Sequence, residues 1–277
     1  MLGHIRRTRI DTLIMSGNLR RVSALAPLQP RVTVSLTTFG HRIRWAHYAI
    51  ASIMIQTVRP ERIVLWLPPA LESPARWPRM LRELTHLGLE IRSVPDLGPA
   101  TKLLPALREF PDDVIITIDD DQIYDHECLD RLLCAHRRHP QAVCANWCEA
   151  VGLNSRGELV KIRKSEFGPA DGPRPDLLAK GMAGVLYPPG CMNPAVMDTD
   201  LLMKLSPKAD DLWFKAMQML KGTPVVSTHK GKPQGSIVMA NENYPEHMAL
   251  RDFNVAGGGD DRQLLALQKH FHLHTLL

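Results

Sequence analysis

One stretch of the sequence, residues 114–121, constrains the fold of this chain more than any other. Its first five residues are four β-branched aliphatic residues and one threonine, which is typical of a strand buried on both faces. Three consecutive carboxylates, Asp119, Asp120 and Asp121, follow without a turn residue. In an open α/β sheet, ligands bind outside the carboxyl ends of the strands. The stretch therefore predicts a buried strand of an α/β sheet with a ligand site at its carboxyl end.

The carboxylates at the end of this strand suit a divalent cation. Like charges this close repel one another, and each is costly to remove from water. Mg²⁺ and Mn²⁺ prefer oxygen ligands, and Mg²⁺ typically takes one or two protein carboxylates together with substrate phosphates. The alternative is a solvated loop in which one aspartate caps the following helix. Because the carboxylates close a buried strand, a site for a metal and a diphosphate is favoured.

Strand-like and helix-like segments alternate through the first half of the chain. Strands are predicted over residues 31–38, 62–67, 89–94 and 114–118, and helices over residues 43–57, 78–88 and 125–139, with a loop at 96–102 that opens into a helix ending near 110. Such alternation indicates a doubly wound, mostly parallel sheet. We therefore predict an α/β fold whose first half forms a nucleotide-binding layer.

The second half of the chain is less regular. Its predicted elements are a strand over 142–147, a hairpin over 153–164 that turns near 155–157, a Gly/Pro-rich loop over 167–175, a strand over 183–187, a helix beginning at 209–214, a strand over 223–228 and a helix over 260–270. Neither an internal repeat nor a clear linker appears in the sequence. We therefore predict one domain over residues 31–277, with a smaller irregular subregion, preceded by a basic segment over residues 1–30.

Composition and charge narrow the classes of partner. The chain has 277 residues, of which 44% are hydrophobic and 23% charged, as in ordinary soluble globular proteins. The net charge of +5 suits an anionic substrate or a membrane surface and is too small to indicate nucleic acid. No apolar run predicts a membrane span, and the N-terminus does not resemble a signal peptide, so a cytoplasmic location is expected. The arginine-rich segment 6–15 is predicted to be a short amphipathic helix, either a surface helix or a contact with the inner face of the membrane.

The five cysteines do not have the spacing of a disulfide framework. Four of them lie near histidines between residues 126 and 148, which raises the question of zinc. No C-x₂-C pair occurs among them, however. Free thiols in a reducing compartment are therefore expected in place of a zinc site.

These features together resemble a known family. A strand ending in Asp-x-Asp, about 80 residues after a first strand with the sequence Val-Ser-Leu-Thr-Thr, resembles the nucleotide-diphospho-sugar glycosyltransferases of the GT-A fold. Within that fold it is similar to family 2 enzymes of bacterial surface-polysaccharide synthesis. The matching segments are residues 34–38, 98–102, 118–121, 184–190 and 210–214. The resemblance extends over about residues 31–250 and implies a GT-A-like fold and transfer of a sugar to a glycan or lipid-linked acceptor.

The resemblance implies a donor site for a nucleotide-diphospho-sugar with Mn²⁺ or Mg²⁺. The side chains expected to contact the donor are Thr37, Thr38, Arg42, Arg44, Lys102, Asp119 and Asp120. The threonines would meet the nucleoside, the arginines a phosphate, and Lys102 the base or a phosphate. The cation would be held by Asp119 and Asp121. For Lys102, a solvated lysine on the first turn of a helix is the alternative.

The resemblance also implies a catalytic base. An inverting transfer needs a carboxylate that takes the proton of the acceptor hydroxyl. Asp211, and after it Asp210, occupies the position implied for this base; the alternative is a pair of helix-capping residues. Trp213 is interpreted either as a stacking surface for a sugar or as a core residue.

His229 is a further candidate near the end of the chain. It follows a predicted strand and precedes Lys230 and Lys232. By resemblance it would be a third metal ligand, with a lysine neutralising the diphosphate, although a lone histidine is more often structural. His247 has no comparable context, and the glycine run at 257–259 is not a phosphate loop, because no Gly-Lys-Ser/Thr follows it.

Two other functions use the same features. A nucleotidyltransferase or phosphohydrolase could employ the same aspartates, but nucleotidyltransferases of similar fold usually carry a glycine-rich loop after the first strand. Residues 37–41 contain one glycine. A non-catalytic carbohydrate-binding protein with this fold is the third interpretation.

Overall fold

The computed structural model of this protein describes residues 2–19, 30–162, 167–231, 237–238 and 258–276. The predictions for Lys232, His247 and Gly257 lie outside these ranges. The strands in chain order are β1 (Val32–Thr37), β2 (Arg62–Leu67), β3 (Leu89–Ser93), β4 (Val114–Thr117), β5 (Gln122–Ile123), β6 (Val143–Ala145), β7 (Cys148–Leu153), β8 (Leu159–Ile162), β9 (Leu177–Ala179), β10 (Val185–Tyr187), β11 (Val225–Ser227) and β12 (Ile237–Val238). The helices are α1 (Leu2–Met15), α2 (Ala46–Met54), α3 (Arg79–His86), α4 (Leu104–Glu109), α5 (Cys128–Arg138), α6 (Thr199–Leu205), α7 (Asp210–Lys221) and α8 (Gly259–Phe271).

A seven-stranded sheet forms the centre of the fold. Its spatial order is β3, β2, β1, β4, β10, β6 and β11. Strand β10 is antiparallel to both of its neighbours, and the other strands all run in one direction. The predicted α/β class with a doubly wound, mostly parallel sheet is therefore confirmed. Strands β8, β7 and β9 form a separate small sheet, which is the predicted irregular subregion.

The strand order creates a switch point beside β4. The chain proceeds from β1 to β2 and β3 on one side, and then crosses to β4 on the other side of β1. The carboxyl ends of β1 and β4 therefore flank the crevice in which open α/β sheets bind ligands. Residues that follow the parallel strands meet at the same edge, among them Thr38 after β1, Asp119 after β4, Asn146 after β6 and Thr228 after β11.

The sheet is covered on both faces because successive strand residues point to opposite sides. Val34 and Ile116 pack in one core with residues of α2, α3 and α5, whereas Ile115 and Trp66 pack in the other with residues of α4, α7 and α8. Every residue of β4 is at most 1% exposed. This confirms the prediction of a strand buried on both faces.

Helix α1 is packed onto the fold. Ile10 and Ile14 are buried in the core that includes α2 and α3. The Tyr48 hydroxyl donates to Asp11 at 3.0 Å, and His47 Nε2 lies 3.5 Å from the same carboxylate. Contact of the basic segment with a membrane stays a prediction. Within the described ranges, no helix combines the length and the apolar character needed to cross a bilayer.

Parts of the second half differ from the predictions. The strand predicted over 142–147 is β6, which ends at Ala145. Strand β7 begins at Cys148, so the hairpin of β7 and β8 begins earlier than the predicted residue 153. Its turn lies where expected, since the Gly157 N–H donates to Asn154 O at 3.0 Å and Gly157 has a φ of 73°. Strand β9 and helix α6 were not predicted. Helix α6 has seven residues with one buried side chain, Leu202, which is too little for a periodic signal.

Candidate active site

Lys102 joins the carboxylates that follow β4 to those that begin α7. Its Nζ lies 2.7 Å from Asp119 Oδ1 and 3.0 Å from Asp210 Oδ2. The Ser35 hydroxyl of β1 donates to the Lys102 carbonyl and fixes its backbone. Burial by itself lowers the pKa of Lys102, but the carboxylates, led by Asp119, raise it well above its ordinary value. Lys102 is therefore a buried ammonium ion, and the alternative of a solvated lysine is wrong.

Arg42 and Thr38 hold the second aspartate. The Arg42 guanidinium contacts Asp120 Oδ1, and the Thr38 hydroxyl donates to Asp120 Oδ2. Burial raises the pKa of Asp120 to about 6, against the opposing effect of Arg42. Asp120 is only 5% exposed, and both of its carboxylate oxygens are bound by these two side chains. Helix α5 follows Glu127 without a side-chain cap, so the capping alternative for the aspartates is not realised.

Asp119 and Asp121 are the aspartates that open toward solvent. Their side chains are 27% and 43% exposed, respectively. Asp121 Oδ2 lies 2.9 Å from Arg42 Nη2, and the Asp119 N–H donates to the Tyr124 hydroxyl at 2.8 Å. Burial raises the pKa of Asp121, with Asp119 adding to the increase and Arg42 opposing it. The repulsion between the two carboxylates is therefore a cost in free energy that a cation would offset.

The carboxylate pair fits the needs of Mg²⁺ or Mn²⁺. Lys102 takes Asp119 Oδ1, so Oδ2 is the oxygen that a cation would use, and Asp121 supplies a second oxygen ligand. Two protein carboxylates with substrate phosphates are a usual set for Mg²⁺. Across the described ranges, no three His, Cys, Asp or Glu side chains come together as a ligand set. His229 is thus not assembled with the aspartates here, and its role as a third ligand stays a prediction.

Asp210 and Asp211, at the start of α7, contact lysines and do not cap the helix. Ala209 occupies the cap position of α7, and no side chain caps this end. Asp211 Oδ1 accepts a hydrogen bond from the Gly181 N–H at 3.1 Å, and Oδ2 lies 3.2 Å from Lys180 Nζ. The Lys180 ammonium is also 3.8 Å from Glu149 Oε2. The predicted alternative of a capping pair is therefore wrong for both aspartates.

Asp210 and Asp211 differ in their surroundings. Asp210 is buried against Lys102, and its burial raises the pKa of its carboxyl group to about 6, with Lys102 opposing the rise. The Asp211 side chain is 19% exposed, whereas that of Asp210 is 11% exposed. Asp211 is therefore the carboxylate of the pair that a substrate reaches more readily.

Three other residues predicted for the site form no ion pair or hydrogen bond with its carboxylates within the described ranges, namely Thr37, Arg44 and His229. The Thr37 hydroxyl donates to Trp66 O at 3.0 Å. Arg44 is exposed at the end of the 3-10 turn Gly40–Arg44, and it is Arg42 that reaches the carboxylates. His229 is partly buried at the same edge of the sheet, beyond β11.

Trp213 belongs to the core. Its side chain is fully buried, its Nε1 donates to Val196 O at 3.2 Å, and its ring contacts that of Phe271. Of the two interpretations of this residue, the core residue is confirmed, and a stacking surface for a sugar is wrong.

The structure adds residues that the sequence analysis did not identify. Lys180 and Gly181 contact Asp211, and Glu149 contacts Lys180. A Cβ atom on Gly181 would lie only 2.8 Å from Lys102 Nζ. The available signal was a pair of glycines, Gly181 just before the strand predicted over 183–187 and Gly184 within it. Phe39 follows β1, is 41% exposed, and has the Arg42 guanidinium 5.4 Å from its ring centre. It presents an aromatic face beside the carboxylates.

Negative charge exceeds positive charge among the side chains of this site. Three cationic side chains in the described ranges contact the carboxylates, namely Arg42, Lys102 and Lys180. The carboxylates they contact are Asp119, Asp120, Asp121, Glu149, Asp210 and Asp211. The formal charge of this set is therefore about −3, which favours the binding of a cation.

Comparison with known proteins gives similarities of fold. No family model and no curated protein matches the sequence. The chain is similar to S. aureus TarS 1–349, with 14% identity and a TM-score of 0.46, and to the same protein in complex with UDP, with 15% identity and a TM-score of 0.47. Each of these similarities covers 73% of this chain and 59% of that one.

A third solved structure, a CMP:2-keto-3-deoxy-manno-octonic acid synthetase complexed with CTP, is similar at 12% identity and a TM-score of 0.42. This similarity covers 71% of this chain and 88% of that one. With TM-scores below 0.5, these similarities assign no family to this chain, and the resemblance to the GT-A glycosyltransferases stays a prediction. The function proposed below rests on the geometry of the site.

Proposed function

We propose that this protein is a glycosyltransferase that transfers a sugar from a nucleotide-diphospho-sugar to an acceptor hydroxyl, with Mn²⁺ or Mg²⁺ as cofactor. One observation carries the proposal: at the switch point of the sheet, Lys102 joins Asp119, which follows β4, to Asp210, at the start of α7. A site with carboxylates for a cation on one side and a carboxylate for a proton on the other suits transfer between two substrates.

The donor would lie beside β1 and β4. Thr38 and Arg42 support Asp120, and Arg42 also places positive charge next to Asp121, where a diphosphate would meet it. The exposed ring of Phe39 offers a surface on which a nucleobase can stack. Asp119 and Asp121 are the residues that would hold the cation. When bound, that cation stabilises the negative charge of the departing diphosphate as a Lewis acid.

The acceptor would lie beside α7. Asp211 takes the proton of the acceptor hydroxyl, while the acceptor oxygen forms a bond to the anomeric carbon. The bond from that carbon to the diphosphate oxygen breaks, and the nucleoside diphosphate leaves. Attack from the side opposite the leaving group inverts the anomeric configuration. A glycan or lipid-linked acceptor, and a role in surface-polysaccharide synthesis, rest on the resemblance stated from the sequence.

The donor half of the proposal is tested by thermal shift. UDP-, GDP-, CMP- and dTDP-sugars are each added with and without Mn²⁺, and the melting temperature is recorded. We expect one nucleotide to raise it only with Mn²⁺ present, because a ligand that binds the folded state stabilises it. Asp121→Ala should abolish this increase. Asp112→Ala is the matched control, because Asp112 is exposed just before β4, at the opposite end of the same strand.

The products distinguish the alternatives. A glycosyltransferase releases a nucleoside diphosphate from the donor, whereas a phosphohydrolase cleaving the diphosphate releases a nucleoside monophosphate and a sugar phosphate. A nucleotidyltransferase instead consumes a nucleoside triphosphate and releases pyrophosphate. Chromatography of the nucleotides separates these cases. If no nucleotide changes the melting temperature, or if Asp121→Ala binds like the unchanged protein, the proposal is wrong.

A further inference from the structure

Two consecutive residues of the chain bind the two oxygens of the Asp211 carboxylate. Lys180 follows β9 directly, and its ammonium lies 3.2 Å from Asp211 Oδ2. The N–H of the next residue, Gly181, donates to Asp211 Oδ1 at 3.1 Å. Because a carboxylate that is held at both oxygens cannot rotate freely, its remaining lone pairs point in a fixed direction.

We propose that Lys180 and Gly181 form a clamp that orients Asp211 toward the acceptor hydroxyl. This inference rests on the proposed function, in which Asp211 is the catalytic residue that touches the substrate. Lys180 is then a positioning residue. Glu149, 3.8 Å from the Lys180 ammonium, adds a second negative charge beside it.

The backbone of the clamp is fixed by hydrogen bonds on both sides. The Lys180 N–H donates to Trp147 O at 2.9 Å, which joins the end of β9 to the residue before β7. The 3-10 turn Gly181–Ala183 follows, and the Gly184 N–H donates to Gly181 O at 3.0 Å. The small sheet therefore has a function in this arrangement, because it carries both Lys180 and Glu149 to the start of α7.

The charge of Lys180 is maintained by its neighbours. Burial by itself lowers the pKa of this lysine, but Asp211 and Glu149 raise it above its ordinary value. The side chain is 18% exposed, so the ammonium has little contact with water. A largely buried cation placed between two carboxylates binds them more strongly than a surface pair would.

A purely structural role for Lys180 is the competing explanation, and the chain offers a matched control for it. Lys161, on β8 of the same small sheet, forms a buried ion pair with Asp260 of α8. Lys161→Met therefore removes a buried lysine from the same sheet without removing a group that contacts Asp211. If Lys180 only stabilises the fold, the two lysine-to-methionine variants should behave alike.

The experiment compares steady-state kinetics of the full chain with its Mn²⁺-dependent donor. We expect Lys180→Met to lower kcat about 100-fold with little change in the donor KM, because displacing a catalytic group by about 1 Å costs roughly that factor. Lys180→Arg should restore most of the loss, since it keeps the positive charge. Lys161→Met should retain kcat within about threefold, because it removes no contact of Asp211.

A second measurement does not depend on activity. The Gly181 amide resonance in a ¹H–¹⁵N spectrum reports its hydrogen bond to Asp211. Asp211→Asn should move this resonance, because a neutral amide replaces the carboxylate that accepts the hydrogen bond. Lys180→Met should move it in the same direction, because the carboxylate loses the contact at its other oxygen. Lys161→Met should leave it in place.

The outcomes separate the clamp from the proposed function. If Lys180→Met leaves kcat and the Gly181 resonance unchanged while Asp211→Asn is inactive, the clamp is overturned and the glycosyltransferase proposal stands. If no donor is turned over by the unchanged protein, the proposed function fails. In that case the Gly181 resonance alone tests the clamp. An unmoved signal in Lys180→Met overturns the clamp, and a moved signal supports it.

Discussion

Replacing Gly181 by alanine tests how closely the two sides of the site are fitted together. A Cβ atom at this position would lie 2.8 Å from Lys102 Nζ and 2.9 Å from Asp211 Oδ1. Ordinary van der Waals contacts of a Cβ atom begin at 3.4 Å. Both side chains must therefore withdraw by about half an ångström, because protein interiors leave no spare volume. The φ angle of Gly181 is not positive, so the backbone itself accepts alanine.

The expected loss of activity is larger than the expected loss of stability. The crowded atoms are the ends of flexible side chains, so the free energy of unfolding should fall by only about 1–2 kcal/mol, the lower part of the range for overpacking. The same shift moves the proposed base and the lysine that holds Asp119. Since a displacement of about 1 Å can cost 10²-fold in rate, kcat should fall between about 10-fold and 100-fold.

The assay measures kcat by release of the nucleoside diphosphate and stability by urea denaturation. Gly152→Ala is the matched control, because its Cβ would lie 2.7 Å from the end of the exposed Ile162 side chain on the β7–β8 hairpin. It should lose similar stability and keep its activity. Equal kcat values for Gly181→Ala and the unchanged protein, with folding intact, would refute the view that this spacing matters for catalysis.

Two further predictions concern stability. Burial raises the pKa of Asp210 to about 6 in the folded state. The native protein therefore binds this proton more tightly than the unfolded chain does. The free energy of unfolding consequently falls as pH rises from about 4 to about 6, and this effect is complete above that range. The unfolding free energy of Asp210→Asn relative to the unchanged protein should thus rise by up to about 3 kcal/mol over this interval in urea denaturation, and a constant difference would contradict the shift. Trp213→Ala should lower the unfolding free energy by about 3–5 kcal/mol at any pH, because it empties a fully buried site; a loss below about 1 kcal/mol in the same assay would argue against a core position.

The donor side of the site was predictable because its signals are local. The run that forms β4 and the aspartates that follow it are adjacent in sequence, so the strand, its burial and the position of the carboxylates follow from one pattern. The start of α7 was also predicted, because two acidic residues in a first turn suit the helix dipole. The partners of these side chains were not predicted, because the sequence indicated a cation, a base or, as the alternative, helix caps, and the structure has Arg42 and two lysines there.

The acceptor side of the site was harder to predict, because its contacts join residues that are distant in sequence. Thirty positions separate Gly181 from Asp211, and the hydrogen bond between them depends on β10 running antiparallel to β4. That reversal brings the residues before β10 to the edge where the parallel strands end. A strand pattern of three residues gives no indication of direction. Lys180 consequently had the sequence signature of an ordinary surface lysine.

The charges at the site also explain why metal and nucleotide should bind together. Arg42, Lys102 and Lys180 do not balance the carboxylates that they contact, and repulsion from Asp119 adds to the rise that burial causes in the pKa of Asp121. A diphosphate alone would add negative charge to this edge of the sheet. A divalent cation alone would gain only the two accessible carboxylates, since Asp120 is committed to Thr38 and Arg42. Each ligand therefore improves the electrostatic environment of the other, and by linkage the stabilisation by both should exceed the sum of the separate effects.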